Sequence, residues 1–173
     1  MRKVEVTEYN PSWKQQFEQE AIQIKKIFTN EIIDLHHIGS TSIPHLKAKP
    51  IIDILMVVKN IDLINPFYSQ MSHLGYKAKG ENGISGRRYF EKGEIVHLAH
   101  VHVFQEGNEH IHRHLAFRDF LRSHPQVAND YGELKEILAQ KYPYDITSYI
   151  AGKRKLVEDI EQQALAWIAT SQS

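Results

Sequence analysis

The sequence predicts an α/β fold of the α+β kind, a small mixed β-sheet flanked by helices with a helical C-terminal part. Three observations carry this. Two short apolar runs, residues 32–38 and 51–58, have strand length and are bounded by Gly39 and Pro50. Apolar residues at positions 13, 17, 21, 24 and 28 recur at the helical period. Beyond about residue 115 the spacing is helical throughout. The 173 residues suit one domain, 1–173, with no repeat or low-complexity linker, and they are enough to bury a core.

Val4 and Val6 alternate with polar residues, which suggests a short strand or extended lead-in. Asn10-Pro11 reads as a helix cap followed by proline at the first helical position. Trp13, Phe17, Ala21, Ile24 and Phe28 then share one buried face. Ile32 to Ile38 is a strand stopped by Gly39, and Pro50 opens a second, strongly apolar strand, Ile51 to Val58. Ile61 to Leu74 reads as a helix closed by Gly75. Tyr76 to Lys79 is a short strand, and Arg88 to Glu91 with Ile95 to Phe104 can pair as a hairpin across Lys92-Gly93-Glu94. Helices are expected over Leu115–Arg122, from Pro125 to about Lys141, and after a cap at Asp145, where Tyr149, Leu156, Ile160, Ala164 and Trp167 share a face. The helices are expected mainly on one side of the sheet.

Lys plus Arg is 21 and Asp plus Glu is 21, so the formal charge cancels. A near-neutral chain is neither a general nucleic-acid binder nor a membrane-surface binder, and any recognition of phosphate has to be local. There is no cysteine, which excludes disulfides and thiolate metal sites and is compatible with a cytoplasmic location. The opening residues, MRKVEVTEYN, have no apolar signal core. Eleven histidines are the one compositional oddity.

The most informative stretch runs from His37 through Gly39-Ser40-Thr41-Ser42 to Pro50-Ile51-Ile52-Asp53-Ile54. A strand ending in Gly-Ser turns tightly and presents bare backbone N–H groups and hydroxyls, which suit phosphate oxygens. Asp53 interrupts an apolar strand, where a carboxylate is costly unless paired, hydrogen-bonded or bound to metal. If the two strands are neighbours, Asp53 lies beside the loop, where a magnesium ion bridges carboxylate and phosphate. Taken singly, the loop is a common turn and Asp53 can be structural; the combination is more specific than either part.

The run His37-Ile38-Gly39-Ser40-Thr41-Ser42-Ile43-Pro44, with Leu46 and Ala48-Lys49-Pro50-Ile51-Ile52-Asp53-Ile54, resembles the signature of the GrpB family, within the nucleotidyltransferase superfamily. The resemblance continues through Gly86-Arg87-Arg88-Tyr89-Phe90, His100-Val101-His102-Val103-Phe104, residues 115–122, Tyr131, Leu134-Lys135, Tyr149 and Lys153. It implies a nucleotidyltransferase-like fold in which Gly39 and Ser40 hold phosphate, Asp53 holds a divalent metal, and an acceptor hydroxyl attacks a nucleotide's α-phosphate. The metal implied is Mg²⁺, with Mn²⁺ or Zn²⁺ as alternatives. The second acid of that pattern belongs two residues on, where this chain has Leu55, and the later strand carries His100 and His102 where a third acid often stands. Family members can occur fused to dephospho-coenzyme A kinase, which hints at coenzyme A metabolism.

The candidate site is therefore Asp53 as catalytic and metal-binding residue, His100 and His102 as further metal ligands on one strand face, and Gly39, Ser40, Thr41, Ser42, Lys49 and Arg88 around phosphate. His97 has the opposite parity to the histidine pair, and Arg118, Asp119 and Arg122 read as a structural ion-pair set. The expected partner is a nucleotide or phosphorylated small molecule. Three functions share these residues: metal-dependent nucleotidyl transfer to a small acceptor, a catalytically reduced binding module, and a metal-dependent hydrolase built on Asp53 with His100 and His102.

Overall fold

A computed structural model describes residues 2–171. The chain begins with extended residues that form no strand of their own; Val4 donates its N–H to Pro143, and Thr7 bridges Ala48. Helix α1, Ser12–Phe28, follows, with the Asn10 side chain accepting from the Ser12 N–H at 2.9 Å as an N-terminal cap does. Strand β1, Ile32–Ile38, runs antiparallel to β2, Ile52–Val58, which places Ile38 opposite Asp53.

The expected helix over 61–74 is shorter than the apolar spacing suggests. Two single-turn 3₁₀ segments, Ile61–Leu63 and Asn65–Phe67, precede α2, Tyr68–His73. Pro66 has no N–H to give to a preceding turn, so the α-helical ladder forms only beyond it. Strands β3, Tyr76–Ala78, and β4, Arg88–Lys92, pair antiparallel, and β4 pairs antiparallel with β5, Ala99–Gln105. Residues 95–98, expected within the last strand, lie outside it, with Ile95, Val96 and Leu98 exposed. The five strands form one sheet in the order β1-β2-β5-β4-β3, and β2 and β5 are its one parallel pair.

Helices α3, Glu109–Ser123, α4, Pro125–Lys141, and α5, Ile146–Ser171, complete the described chain. Helix α3 begins six residues before the expected Leu115, because the Asn108 side chain caps it by accepting from the His110 N–H at 2.9 Å. Asp145 accepts from the Ser148 N–H and hydroxyl ahead of α5, as its position predicts.

Helices cover both faces of the sheet, which corrects the expectation of one. On one face Trp13, Ile24 and Phe28 of α1 and Met71 of α2 pack over Ile52, Ile54, Met56, Val58, Val101 and Val103. On the other, Ile111 and Leu115 of α3 pack over Leu55, Val57 and Phe104. A separate apolar cluster joins α3, α4 and α5 to Ile43 and Leu46. Helix α3 covers only part of the second face. The end nearest Ile38 and Asp53 opens into space between the sheet and the last two helices, and the site lies there.

Candidate functional site

Side chains on a strand alternate between faces, so the register decides which groups meet. Asp53 is opposite Ile38 on one side and His100 on the other, and His102 faces Tyr89. Asp53, His100, His102, Tyr89 and Glu91 therefore share the face that opens into the cleft. The His102 Nε2 lies 3.1 Å and the His100 Nδ1 3.6 Å from the Asp53 Oδ1.

Gly39 ends β1 with φ 72° and ψ −175°, a backbone region open almost only to glycine. Its missing side chain is needed twice over, because a Cβ there would sit 2.6 Å from the Asp53 Oδ2. The loop backbone thus lies directly against the carboxylate. Ser40 faces the same space, and its hydroxyl accepts from the Lys135 ammonium at 2.7 Å. Two hollows meet at this point. The larger, about 470 Å³, is lined by Gly39, Ser40, Asp53, His102, Lys153 and Arg154 among others. The smaller, about 120 Å³, is lined by Ser40, Asp53, Lys49, Lys135, Tyr149 and Lys153.

The smaller hollow is cationic. Burial pushes the Lys49 amine down to about 8, with Lys153 adding repulsion. Lys135 is only 2% exposed, and burial, then Lys153 and Lys49, hold its amine well below the ordinary range. Among the described residues none of these three lysines has a carboxylate within ion-pair distance. Lys49 and Lys153 lie over the Tyr149 ring, 5.3 and 5.4 Å from its centre, and the buried hydroxyl of that tyrosine has no hydrogen-bond partner. Lysines gathered without a carboxylate partner are costly in an apolar surround, and an anion between them offsets that cost.

Burial pushes the Asp53 carboxyl up, but the His100 and His102 side chains outweigh it and hold the group below the ordinary carboxylate range. The hydrogen bonds around His102 assign its tautomer. Its Nδ1 lies 3.3 Å from the Arg87 Nη1, which can only donate, so Nδ1 accepts and Nε2–H donates to Asp53. In this arrangement His102 orients the carboxylate through a donated N–H, and its lone pair is used by Arg87.

Some expectations change. Arg88 is not at the cleft: it faces Val103 across the strands, on the opposite side from His102, and pairs with Asp62 at 3.8 Å. Of the pair, Arg87 is the one that reaches the site, through His102, braced by the carbonyls of Glu81 and Asn82 and stacked over Tyr89. The Thr41 and Ser42 hydroxyls are spent inside the loop. Thr41 meets the His37 ring at 2.9 Å and the Ile51 carbonyl, and Ser42 donates to the Gly39 carbonyl. Arg122 fastens the loop through the Ser42 carbonyl, and Arg118 pairs with Asp119. Leu55 is fully buried against the α3 face, so the position of a second acid is part of the apolar core.

The family model described as GrpB protein matches residues 3–163. The chain belongs to the GrpB family. It is 49% identical over 166 residues to the UPF0157 protein YqkA of Bacillus subtilis, a match covering 96% of this chain and 48% of YqkA, so the chain spans about half the length of that relative. The crystal structure of the conserved protein GrpB from Enterococcus faecalis superposes with a TM-score of 0.92 at 44% identity, covering 95% of this chain and 99% of that one. The Cid1 poly(U) polymerase, in a structure with Mg and 3′-dATP bound, superposes with a TM-score of 0.55 at 11% identity, covering 85% of this chain and 49% of that one. That likeness establishes a nucleotidyltransferase-like fold for the family member described here, and the fold alone. No helix among the described residues is long and apolar enough to cross a membrane.

Proposed function

We propose that the protein binds the phosphate chain of a nucleotide or phosphorylated metabolite together with one divalent ion, Mg²⁺ in first place and Mn²⁺ or Zn²⁺ as alternatives. The observation that carries this is the gathering of Lys49, Lys135 and Lys153 around the hollow at Ser40, beside the Asp53 carboxylate. Asp53 fits a hard cation, since it is ionised and 27% exposed on the cleft side. A bare cation is nevertheless repelled by the three lysines, so metal and phosphate enter together. His102 and Arg87 hold the carboxylate in place, Gly39 gives it room, and Ser40 with Lys135 meets phosphate oxygens. The ion, when bound, neutralises charge on those oxygens and makes phosphorus easier to attack.

Nucleotidyl transfer to a small acceptor is the second reading. The larger hollow beside Asp53, with Phe117, Tyr131, Ile150 and Val157 in its wall, leaves space for a base or an acceptor next to the phosphate position. Against it stands Leu55, which leaves a single carboxylate where two-ion catalysis uses more than one. The hydrolase reading has less support, because His102 gives Asp53 a proton donor and no free lone pair. Fold likeness does not choose among these, and the site has to.

Calorimetric titration with ATP, UTP and coenzyme A, each with and without Mg²⁺, tests the proposal. Wild type should bind at least one of them only when Mg²⁺ is present, and Asp53→Asn should lose at least tenfold in affinity while staying folded. Equal binding by the variant, or no binding by wild type, contradicts it. Transfer of labelled nucleotide to an acceptor then separates the second reading from the first.

A further inference from the structure

On the far side of His100 from Asp53 there is a second cluster that the phosphate reading does not use. The His100 Nε2 is 2.8 Å from the His97 Nδ1, and the His97 Nε2 is 3.6 Å from a Glu91 carboxylate oxygen. Glu91 is opposite His100 on the neighbouring strand. One ligand atom from each of Glu91, His97 and His100 lies within 4.8 Å of the other two. Among the described residues this is the one trio of histidine and acid that gathers so closely; Asp53 with His100 and His102 does not.

We propose that Glu91, His97 and His100 bind a first-row divalent ion of the zinc type, at a site separate from the one at Asp53. Two imidazoles and one carboxylate form a donor set suited to zinc, with a fourth position left for water. Two ring nitrogens facing each other at 2.8 Å share one proton, and an ion in that position replaces it. Tetrahedral zinc spaces its ligand nitrogens by about 3.3 Å, from bonds of about 2.0–2.1 Å, so the trio closes on an ion by small side-chain rotations. The three side chains are each 17–22% exposed, which leaves an entry path.

A second geometric feature points the same way. Metal-bound histidines usually give their other ring N–H to a carboxylate, which fixes the ring and raises its basicity. The other nitrogen of His100, Nδ1, faces the Asp53 Oδ1 at 3.6 Å. A neutral imidazole has one lone pair, so a His100 that binds an ion through Nε2 carries its proton on Nδ1, towards Asp53. His100 and His102 would then both donate to Asp53, one of them anchored by a metal. The ion would also tie β4 and β5 to residue 97 in their connection. His97 lies outside β5, so strand parity does not govern it and its ring turns towards His100.

The test is a Co²⁺ and Zn²⁺ titration of the chelator-stripped full chain, with Co²⁺ absorption reporting imidazole coordination and calorimetry giving stoichiometry. In the absence of nucleotide, wild type should take up one ion with a visible Co²⁺ spectrum. His97→Ala and Glu91→Gln should each lose at least tenfold in affinity, with unchanged circular dichroism. Asp53→Asn should retain the ion at about 10–100-fold weaker affinity, as loss of an outer partner does. His97→Ala should leave Mg²⁺-dependent nucleotide binding intact, so failure here and failure of the phosphate reading are told apart. A wild type that binds neither metal, or a His97→Ala that binds Co²⁺ with the wild-type spectrum and affinity, overturns the proposal.

Discussion

Replacing Gly39 with alanine probes the contact on which the phosphate reading depends. Two costs can be worked from the structure. At φ 72° and ψ −175° the backbone lies where a residue with a Cβ is strained by about 1–3 kcal/mol. The new methyl would also lie 2.6 Å from the Asp53 Oδ2 and 3.0 Å from its Cβ, so the carboxylate has to move or the loop has to lift. Coupled neighbours of this kind interact by about 0.5–3 kcal/mol. The sum is a loss of about 1.5–6 kcal/mol, a large part of the 5–15 kcal/mol by which such domains are typically stable. Urea unfolding of wild type, Gly39→Ala, Asp53→Ala and the double variant measures it. Removing the carboxylate should restore part of the loss and leave the backbone strain. If Gly39→Ala is within about 0.5 kcal/mol of wild type, the range of an ordinary surface substitution, the close approach of loop and carboxylate is refuted.

Two further outcomes follow from buried cations and from histidine. Lys135→Met removes a buried amine that has no carboxylate partner and keeps its volume, so the melting temperature should rise by about 2–4 °C per kcal/mol of relief, while Mg²⁺-dependent ligand binding falls at least tenfold; thermal melts and calorimetry read the two effects separately. Burial lowers the His37 imidazole to about 4, so below the unfolded value near 6.5 the unfolded chain takes a proton that the folded chain refuses. Stability is therefore fully present above pH 6.5 and falls on acidification by about 1.4 kcal/mol per pH unit, until His37 protonates in the fold near pH 4. Comparing urea midpoints of wild type and His37→Phe at pH 7.5 and 4.5 should show about 2.7 kcal/mol less acid sensitivity in the variant. An identical pH dependence in the two proteins contradicts the burial argument.

The parts of the fold and site that can be read from the sequence are those set by nearby residues. Gly39 and Asp53 sit at adjoining ends of adjacent strands, and the thirteen residues between them leave the loop few ways to avoid the carboxylate. Caps at Asn10 and Asp145 could be located because their side chains bond within three residues. What could not be read depends on register or on distant packing. The choice between Arg87 and Arg88 needs the pairing of Tyr89 with His102, which only the assembled sheet supplies. Leu55 looked like a missing acid, and the packing of α3 makes it core. Lys135 comes to Ser40 from 95 residues away on a helix whose pattern shows only an amphipathic surface. The early start of α3 escaped because its first turns are rich in charged residues and histidine, and only the Asn108 cap marks the boundary.

The most direct measurement is a crystal structure of the protein with Mn²⁺ and a non-hydrolysable nucleoside triphosphate, read by the anomalous signal of manganese. The account predicts a manganese peak at coordination distance, roughly 2.0–2.4 Å, from the Asp53 carboxylate. Phosphate oxygens should lie on Ser40 and Lys135, and Lys49 should turn to meet them. Manganese and phosphate bound away from Asp53, or phosphate held with Asp53 untouched by any ion, would contradict it.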